Sequence, residues 1–261
     1  MPSGAPPQCP PARGLLQGRT VLVTAAAGTG IGFATARRCA EEGAIVAISD
    51  RHERRLRASA ADLARLSGRE PLAMVCDVRH EHDVREMFAR AESELGGVDI
   101  LVNNAGLGGT APIDEMTDEQ WYDVLEVTLT GTFRCVRAAL AHMKPRGRGV
   151  IVNNASASGW RAQAGQAHYA AAKAGVMAFT RVAASEAAPF GIRVNAIAPS
   201  LVLHPNLVKV TTQELLDRLT AREAFGRSAE AWEVANVIVF LASDYSSYMT
   251  GEVLSVSEQH P

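Results

Sequence analysis

Seven short runs dominated by Val, Ile, Leu and Ala recur along the chain, at 19–24, 44–49, 72–76, 98–103, 150–155, 193–198 and 252–256. Between them lie longer stretches of helical composition, near 31–42, 51–67, 80–95, 118–143, 167–188 and 229–242. This alternation constrains the fold more than any other feature. Strands that are apolar on nearly every residue need cover on both faces, and parallel neighbours need a crossover long enough to hold a helix. The pattern predicts an α/β chain in which a doubly wound parallel sheet of about seven strands carries helices on both faces. In such a sheet, ligands bind where the carboxyl ends of the strands meet the reversal of strand order. With 261 residues, 47% of them hydrophobic, one core accounts for the whole chain. A single domain is expected over residues 16–261.

The remaining fifteen residues differ. MPSGAPPQCPPARG holds five prolines and no apolar stretch, which reads as a disordered arm rather than a signal peptide or an anchor. Nowhere does an apolar run reach the roughly 18 to 20 residues that span a bilayer. A net charge of −2 gives no reason to expect a nucleic-acid or anionic-membrane partner. Cys9, Cys39, Cys76 and Cys135 are widely spaced, as free thiols of a reducing cytoplasm would be, and no metal is expected.

Two stretches suggest a nucleotide. VTAAAGTGIGFATARR joins the first strand to the first helix, and Gly28, Gly30 and Gly32 allow a tight turn that sets a phosphate at a positive helix terminus. The spacing is not the commoner G-x-G-x-x-G, so an ordinary glycine-rich turn would look similar. The second strand ends in AISDRHERR, where Asp50 can accept from the ribose hydroxyls of an adenosine and repel a 2′-phosphate. At 4 Å and an effective dielectric near 20, each unit of like charge costs about 4 kcal/mol before screening. Arg51, Arg54 and Arg55 argue the other way, because one of them could clasp that phosphate. The balance favours NAD over NADP.

A third stretch suggests proton transfer. Only three of the 26 basic residues are lysines, yet Lys173 stands one turn after Tyr169 in HYAAAKAGVMAFTRVAASEAA. Interconverting an alcohol and a ketone needs a group that exchanges a proton with the substrate oxygen. A free phenol, with a pKa near 10, does this poorly at neutral pH. An ammonium about 5 Å away would lower it by about two units at an effective dielectric of 20. Ser156, ending GVIVNNAS, could donate a hydrogen bond to the same oxygen. A packed tyrosine beside a snorkelling lysine is the plain alternative.

Taken together, the glycine turn, CDV (76–78), NNAG (103–106), Ser156 with Tyr169-x-x-x-Lys173, and RVNAIAP (193–199) resemble the single-domain short-chain dehydrogenases/reductases from about Leu16 onward. The resemblance implies a Rossmann-like fold, an NAD(P) cofactor, a small-molecule substrate and a homo-oligomer, either tetramer or dimer. Catalysis would fall to Ser156, Tyr169 and Lys173. Cofactor contacts would come from Gly28, Thr29, Gly30, Ile31, Asp50, Arg51, Asp77, Val78, Asn104, Ala105, Gly106, Tyr169, Lys173, Pro199, Ser200 and Val202, with Asn103 supporting them. Lys173 would also hold the nicotinamide ribose. Ser158, Trp160 and His204 would face the substrate, and the segment from Ser200 to Phe225 would form a lid.

Four positions depart from the family. Ala25 stands where glycine is usual, in a turn one residue longer. Thr128 replaces a catalytic asparagine and could anchor a water beside Lys173. Ser200 replaces a glycine, and His204 takes the place of a threonine that commonly binds the nicotinamide amide. The chain ends VSEQHP instead of in an Asp-Gly-Gly-like tail.

NNASASGWRAQ and LASDYSSYMTGEVLSVSEQHP look most like an actinobacterial subgroup linked to steroid-ring degradation, whose substrates are ring-derived CoA thioesters. Lys209, Arg218 and Arg222 could then meet CoA phosphates. The expected function is an NAD-preferring secondary alcohol–ketone oxidoreductase. Its rivals are an NADPH-dependent 3-oxoacyl-thioester reductase and, from another class, a catalytically impaired cofactor sensor or scaffold.

Overall fold

A computed structural model describes residues 6–161, 163–203, 214, 220, 221 and 223–257. Seven strands, β1 (Thr20–Val23), β2 (Ile45–Asp50), β3 (Leu72–Val75), β4 (Ile100–Asn103), β5 (Gly149–Asn154), β6 (Ile192–Pro199) and β7 (Val253–Val256), form one sheet in the order β3-β2-β1-β4-β5-β6-β7. All six neighbouring pairs are parallel. The order reverses between β1 and β4, which opens the crevice where ligands are expected.

The crossovers are α1 (Ile31–Glu41), α2 (Glu53–Ser67), α3 (Glu81–Leu95), α4 (Asp118–Leu125), α5 (Gly131–Met143), α6 (Ala167–Ala187) and α7 (Ala231–Ala242). Two apolar layers result. Val21, Val23, Ile48 and Val102 pack with α1, α2 and α7 on one face, while Leu22, Ala47, Leu101 and Ile151 pack with α3, α5 and α6 on the other. Alternation along each strand sends successive residues to opposite layers.

The expected single helix over 118–143 is interrupted. Between α4 and α5, Glu126–Thr130 winds as one π-turn, with the Gly131 N–H reaching back to Glu126 O. Thr117 and Gln120 close a capping box at the start of α4. Every residue of the interruption is compatible with an ordinary helix, so nothing in the pattern marks the extra residue; π-turns of this kind collect at functional sites.

The expected arm also meets the fold earlier than Leu16. Arg13 N and Leu15 N donate to Glu42 Oε2 at 2.9 and 3.0 Å, and Arg38 Nη2 donates to Pro11 O at 3.4 Å. Glu42 and Arg38 are themselves buried and paired at 2.7 Å. The arm docks through its backbone, which an apolar pattern could not reveal. All four cysteines are free thiols, and burial raises Cys39 and Cys76 to about 12. Among the described residues, no helix is long and apolar enough to cross a membrane.

Candidate active site

The turn after β1 is held from below by side chains of β2 and α2. Asp50 accepts from Ala27 N at 3.3 Å and from His52 N at 2.9 Å, while Ser59 Oγ accepts from Gly28 N at 2.9 Å. Ala25 sits in the left-handed region, at φ 49°, where the family's glycine would be at ease. Gly32 has no room for a side chain, since a Cβ there would lie 2.5 Å from both Ala25 O and Asn104 Nδ2. Gly30 leads into α1 with no capping side chain and no acidic residue in the first turn. The first N–H groups of α1 therefore stay open to an anionic ligand. A dinucleotide pyrophosphate fits this end of the turn. Arg51 is exposed beside the carboxylate, its Nε 3.3 Å from His52 Nε2.

Further along the crevice, Asp77 accepts from Arg79 N, Nε and Nη2, and these bonds hold its carboxyl below the usual range despite some burial. Val78 packs under Gly131 at the start of α5. Asn104 N and Ala105 N both donate to Thr24 Oγ1, at 3.0 and 3.1 Å, tying NNAG to the first strand. Asn103 points to the other layer, where its Nδ2 donates to Asn153 Oδ1 at 2.8 Å and Asn153 Nδ2 donates to Thr180 Oγ1 at 2.9 Å. Its side chain braces the sheet and faces away from the cofactor crevice, a consequence of strand alternation. Pro199 ends β6, Ser200 Oγ donates to Glu223 Oε2 at 3.1 Å, and Val202 bridges to Ala229.

Ser156, Tyr169 and Lys173 converge at the carboxyl end of β5. The Tyr169 phenol and the Ser156 hydroxyl share a hydrogen bond. Ser156 Oγ also accepts from Ser158 N at 3.2 Å. Lys173, only 3% exposed, donates from Nζ to Asn154 O at 2.5 Å and lies 5.6 Å from the centre of the Tyr169 ring. Burial without an anionic partner pulls the lysine down to about 8. Burial also raises the phenol above its ordinary value, with the Ser156 bond opposing. The expected depression of the phenol by the ammonium is thus absent from the free protein. Desolvation, opposed by the Ser156 hydrogen bond, sets the direction of the shift.

Thr128 occupies the middle of the π-turn, fully buried. Its Oγ1 accepts from Leu107 N at 3.0 Å and donates to Leu107 O at 3.2 Å. The hydroxyl's one proton is spent on that carbonyl, leaving a single lone pair for a water. A Cβ on Gly106 would meet Lys173 Nζ at 3.4 Å and Thr128 Oγ1 at 3.8 Å, so this glycine separates the two groups.

Three nearby residues escaped the sequence reading. Gly159 passes so close to α6 that a Cβ would strike Met177 and the backbone of Ala174. Buried His168 accepts from Tyr169 N through Nδ1 at 2.9 Å, in the uncapped first turn of α6. Asn154 touches both the lysine and NNAG; its only signal was a second Asn-Asn pair, in register with the first. Ser158 is half-buried and Trp160 exposed, on the short turn that follows Ser156. His204, Lys209, Arg218 and Arg222 lie outside the described residues.

Comparison with known proteins accords with this geometry. A family model described as enoyl-(acyl carrier protein) reductase matches residues 25–258. The chain is 59% identical, over 95% of its own length and 95% of the relative's, to a (5R,7aS)-5-hydroxy-7a-methyl-1-oxo-2,3,5,6,7,7a-hexahydro-1H-indene-carboxyl-CoA reductase of Mycobacterium tuberculosis. It is 43% identical to a cis-4-hydroxycyclohexanecarboxylate dehydrogenase of Sinomonas cyclohexanicum, covering 91% of this chain and 94% of that one. A crystal structure of a short chain dehydrogenase from Mycobacterium smegmatis superposes with a TM-score of 0.89 at 53% identity, over 99% of both chains.

Proposed function

The chain belongs to the short-chain dehydrogenases/reductases, NAD(P)-dependent oxidoreductases of secondary alcohols and ketones, and from that premise we propose that it prefers NAD and acts on a ring-borne hydroxyl or keto group. The substrate ring carries a carboxyl group, joined to CoA as a thioester. Convergence of Ser156, Tyr169 and Lys173 beside the NNAG segment is the observation that supports the chemistry. The substrate class draws on two relatives whose names both describe a hydroxylated ring with a carboxyl function, one of them joined to CoA.

A bound nicotinamide dinucleotide supplies the two-electron carrier. In this reading Tyr169 exchanges the proton with the substrate oxygen at its phenolic oxygen. Ser156 donates a hydrogen bond to the same oxygen, which stabilises the charge that develops there. Lys173 would hold the ribose hydroxyls, and its ammonium would place positive charge beside the phenol. Thr128 fixes the Leu107 backbone and with it the wall beside Lys173. Asp50, at the end of β2 beside the glycine turn, would accept from the adenosine ribose hydroxyls and repel a 2′-phosphate, which supports NAD, while Arg51 is exposed and directed at His52.

The test is a steady-state assay of nicotinamide absorbance with hydroxycyclohexanecarboxylate, its ketone and their CoA thioesters, using NAD(H) and NADP(H) separately. Tyr169→Phe should lower kcat about a hundredfold or more and leave cofactor affinity within a few-fold. Asp50→Ser should weaken or reverse the NAD preference. Retention of most turnover by Tyr169→Phe would defeat the mechanism, and equal kcat/KM for both cofactors in the parent would defeat the cofactor assignment.

A further inference from the structure

Strands β4 and β5 each run into two asparagines, Asn103-Asn104 and Asn153-Asn154, and the register pairs Asn103 with Asn153. Alternation therefore sends one pair into each layer. The first pair closes a ladder with Thr180 of α6. The second pair lies beneath the cofactor crevice, and its hydrogen bonds have only one consistent direction. Asn104 Nδ2 donates to Thr24 O at 3.2 Å and to Ala25 O at 3.0 Å, so its Oδ1 must face Asn154 as an acceptor. Asn154 must then present its own Nδ2, which it does at 3.0 Å. Its backbone carbonyl accepts the Lys173 ammonium at 2.5 Å. A chain of contacts thus runs from Ala25 through Asn104 and Asn154 to Lys173.

Cohesion alone does not account for Asn154. Backbone ladders to β4 and β6 already hold β5 in place. The directionality just described also strands Asn154 Oδ1, which is buried with no hydrogen-bond partner among the described residues. An apolar side chain of similar volume would exchange that stranded acceptor for another, Asn104 Oδ1, so burial alone does not favour the asparagine. Ala25 O, at the far end, belongs to the left-handed residue of the glycine turn.

Resting on the cofactor and lysine assignments above, we infer that Asn154 is a positioning residue: it fixes Lys173 relative to the glycine turn, so that turn and lysine meet one dinucleotide in a single geometry. The side chain sets where NNAG and the turn sit, and the carbonyl of the same residue sets where the ammonium sits. Neither the phenol nor the substrate needs to touch it.

The experiment measures NAD affinity without substrate, by tryptophan fluorescence or calorimetry, together with melting temperature and steady-state kinetics. Asn154→Leu removes the amide and the stranded acceptor together. Because it trades one unpaired acceptor for another, Asn104 Oδ1, it should melt within a few degrees of the parent, bind NAD about tenfold more weakly, and lose kcat with the substrate KM nearly unchanged. Asn154→Asp keeps the shape but faces Asn104 Oδ1 with an acceptor, and should also weaken NAD binding. Should the Leu variant fail to fold, the Asp variant carries the same affinity test. Parent-like NAD affinity and kcat in either folded variant would overturn the inference, as would loss of melting temperature with affinity intact. A parent that binds no NAD, or a Tyr169→Phe protein that turns over normally, would instead overturn the underlying functional reading.

Discussion

Two buried charges lie at opposite ends of the sheet, and the protein treats them differently. At the end away from the site, Glu42 is enclosed by the arm and by α1. Burial works against its carboxylate, but N–H groups of Leu15 and Arg13, the Arg38 guanidinium and Gly14 more than offset this and hold its pKa below the usual value. Arg38 is matched in turn by Glu42, Glu41 and Asn236. At the site end, Lys173 is equally enclosed but meets one carbonyl and no anion among the described residues, and it gives way to about 8. A fully partnered charge serves cohesion. One left under-partnered points to a function, since stability alone would not retain it.

Glu42→Gln tests the partnered end and should have the largest effect on stability. It leaves Arg38 buried without its main counter-charge, and truncating a buried pair costs about 3–5 kcal/mol. Calorimetry should show the drop, while kcat/KM measured well below the transition stays at the parent value. The sign with pH follows from the depressed carboxyl. Its contribution is complete above the ordinary glutamate range and disappears as pH falls through the lower folded value, so parent and variant should converge in acid. A parallel loss of kcat/KM would mean that the two ends are not independent.

This contrast was only partly legible in the sequence. The seven strands are found within a residue or two of their expected limits because continuous apolar runs leave a parallel strand little choice. Tyr169, Lys173 and Ser156 stood out because their side chains have few other uses in that pattern. Glu42 gave no signal, since its partners are backbone N–H groups of a proline-rich segment. Asn154 was hidden for a related reason: its role depends on which way two amides point, and that follows from contacts across three strands. The π-turn around Thr128 is likewise a matter of register between neighbouring elements.

Lys173→Met sharpens the other half of the comparison. The folded lysine titrates at about 8, below its ordinary 10.5. Below pH 8 both folded and unfolded chains carry the charge, so the cost of burying it is present in full and does not vary. Between about 8 and 10.5 the unfolded chain alone binds the proton, so the parent becomes more stable as pH rises, and above that window the cost is gone. Urea unfolding should therefore show the Met variant gaining most, relative to the parent, below pH 8, and the gap closing toward pH 10.5. Turnover and NAD affinity should both fall, because the lysine has two proposed partners. A parent whose stability is flat across this window would show that Lys173 is better compensated than a single carbonyl allows.

The smallest effect is expected at Ala25, between the two regimes. Its φ of 49° places an alanine in the left-handed region, which costs about 1–2 kcal/mol in an L-residue with a Cβ. Glycine removes that strain but frees the unfolded chain by about 0.4–1 kcal/mol, so the net gain from Ala25→Gly should lie at about 0–1.6 kcal/mol, with its midpoint just under 1 kcal/mol. For a domain of this size that corresponds to about 1–3 °C in Tm. The substitution leaves the Ala25 carbonyl in place, and with it the Asn104 bond, so NAD affinity should stay within about twofold of the parent. The two readouts separate two sources of order at the turn. A higher Tm with unchanged affinity means that Asn104 and Asn154 impose the geometry and the alanine merely tolerates it. Weaker NAD binding would mean that the alanine's own restricted backbone sets the turn, and the asparagine chain would then be following the turn instead of fixing it.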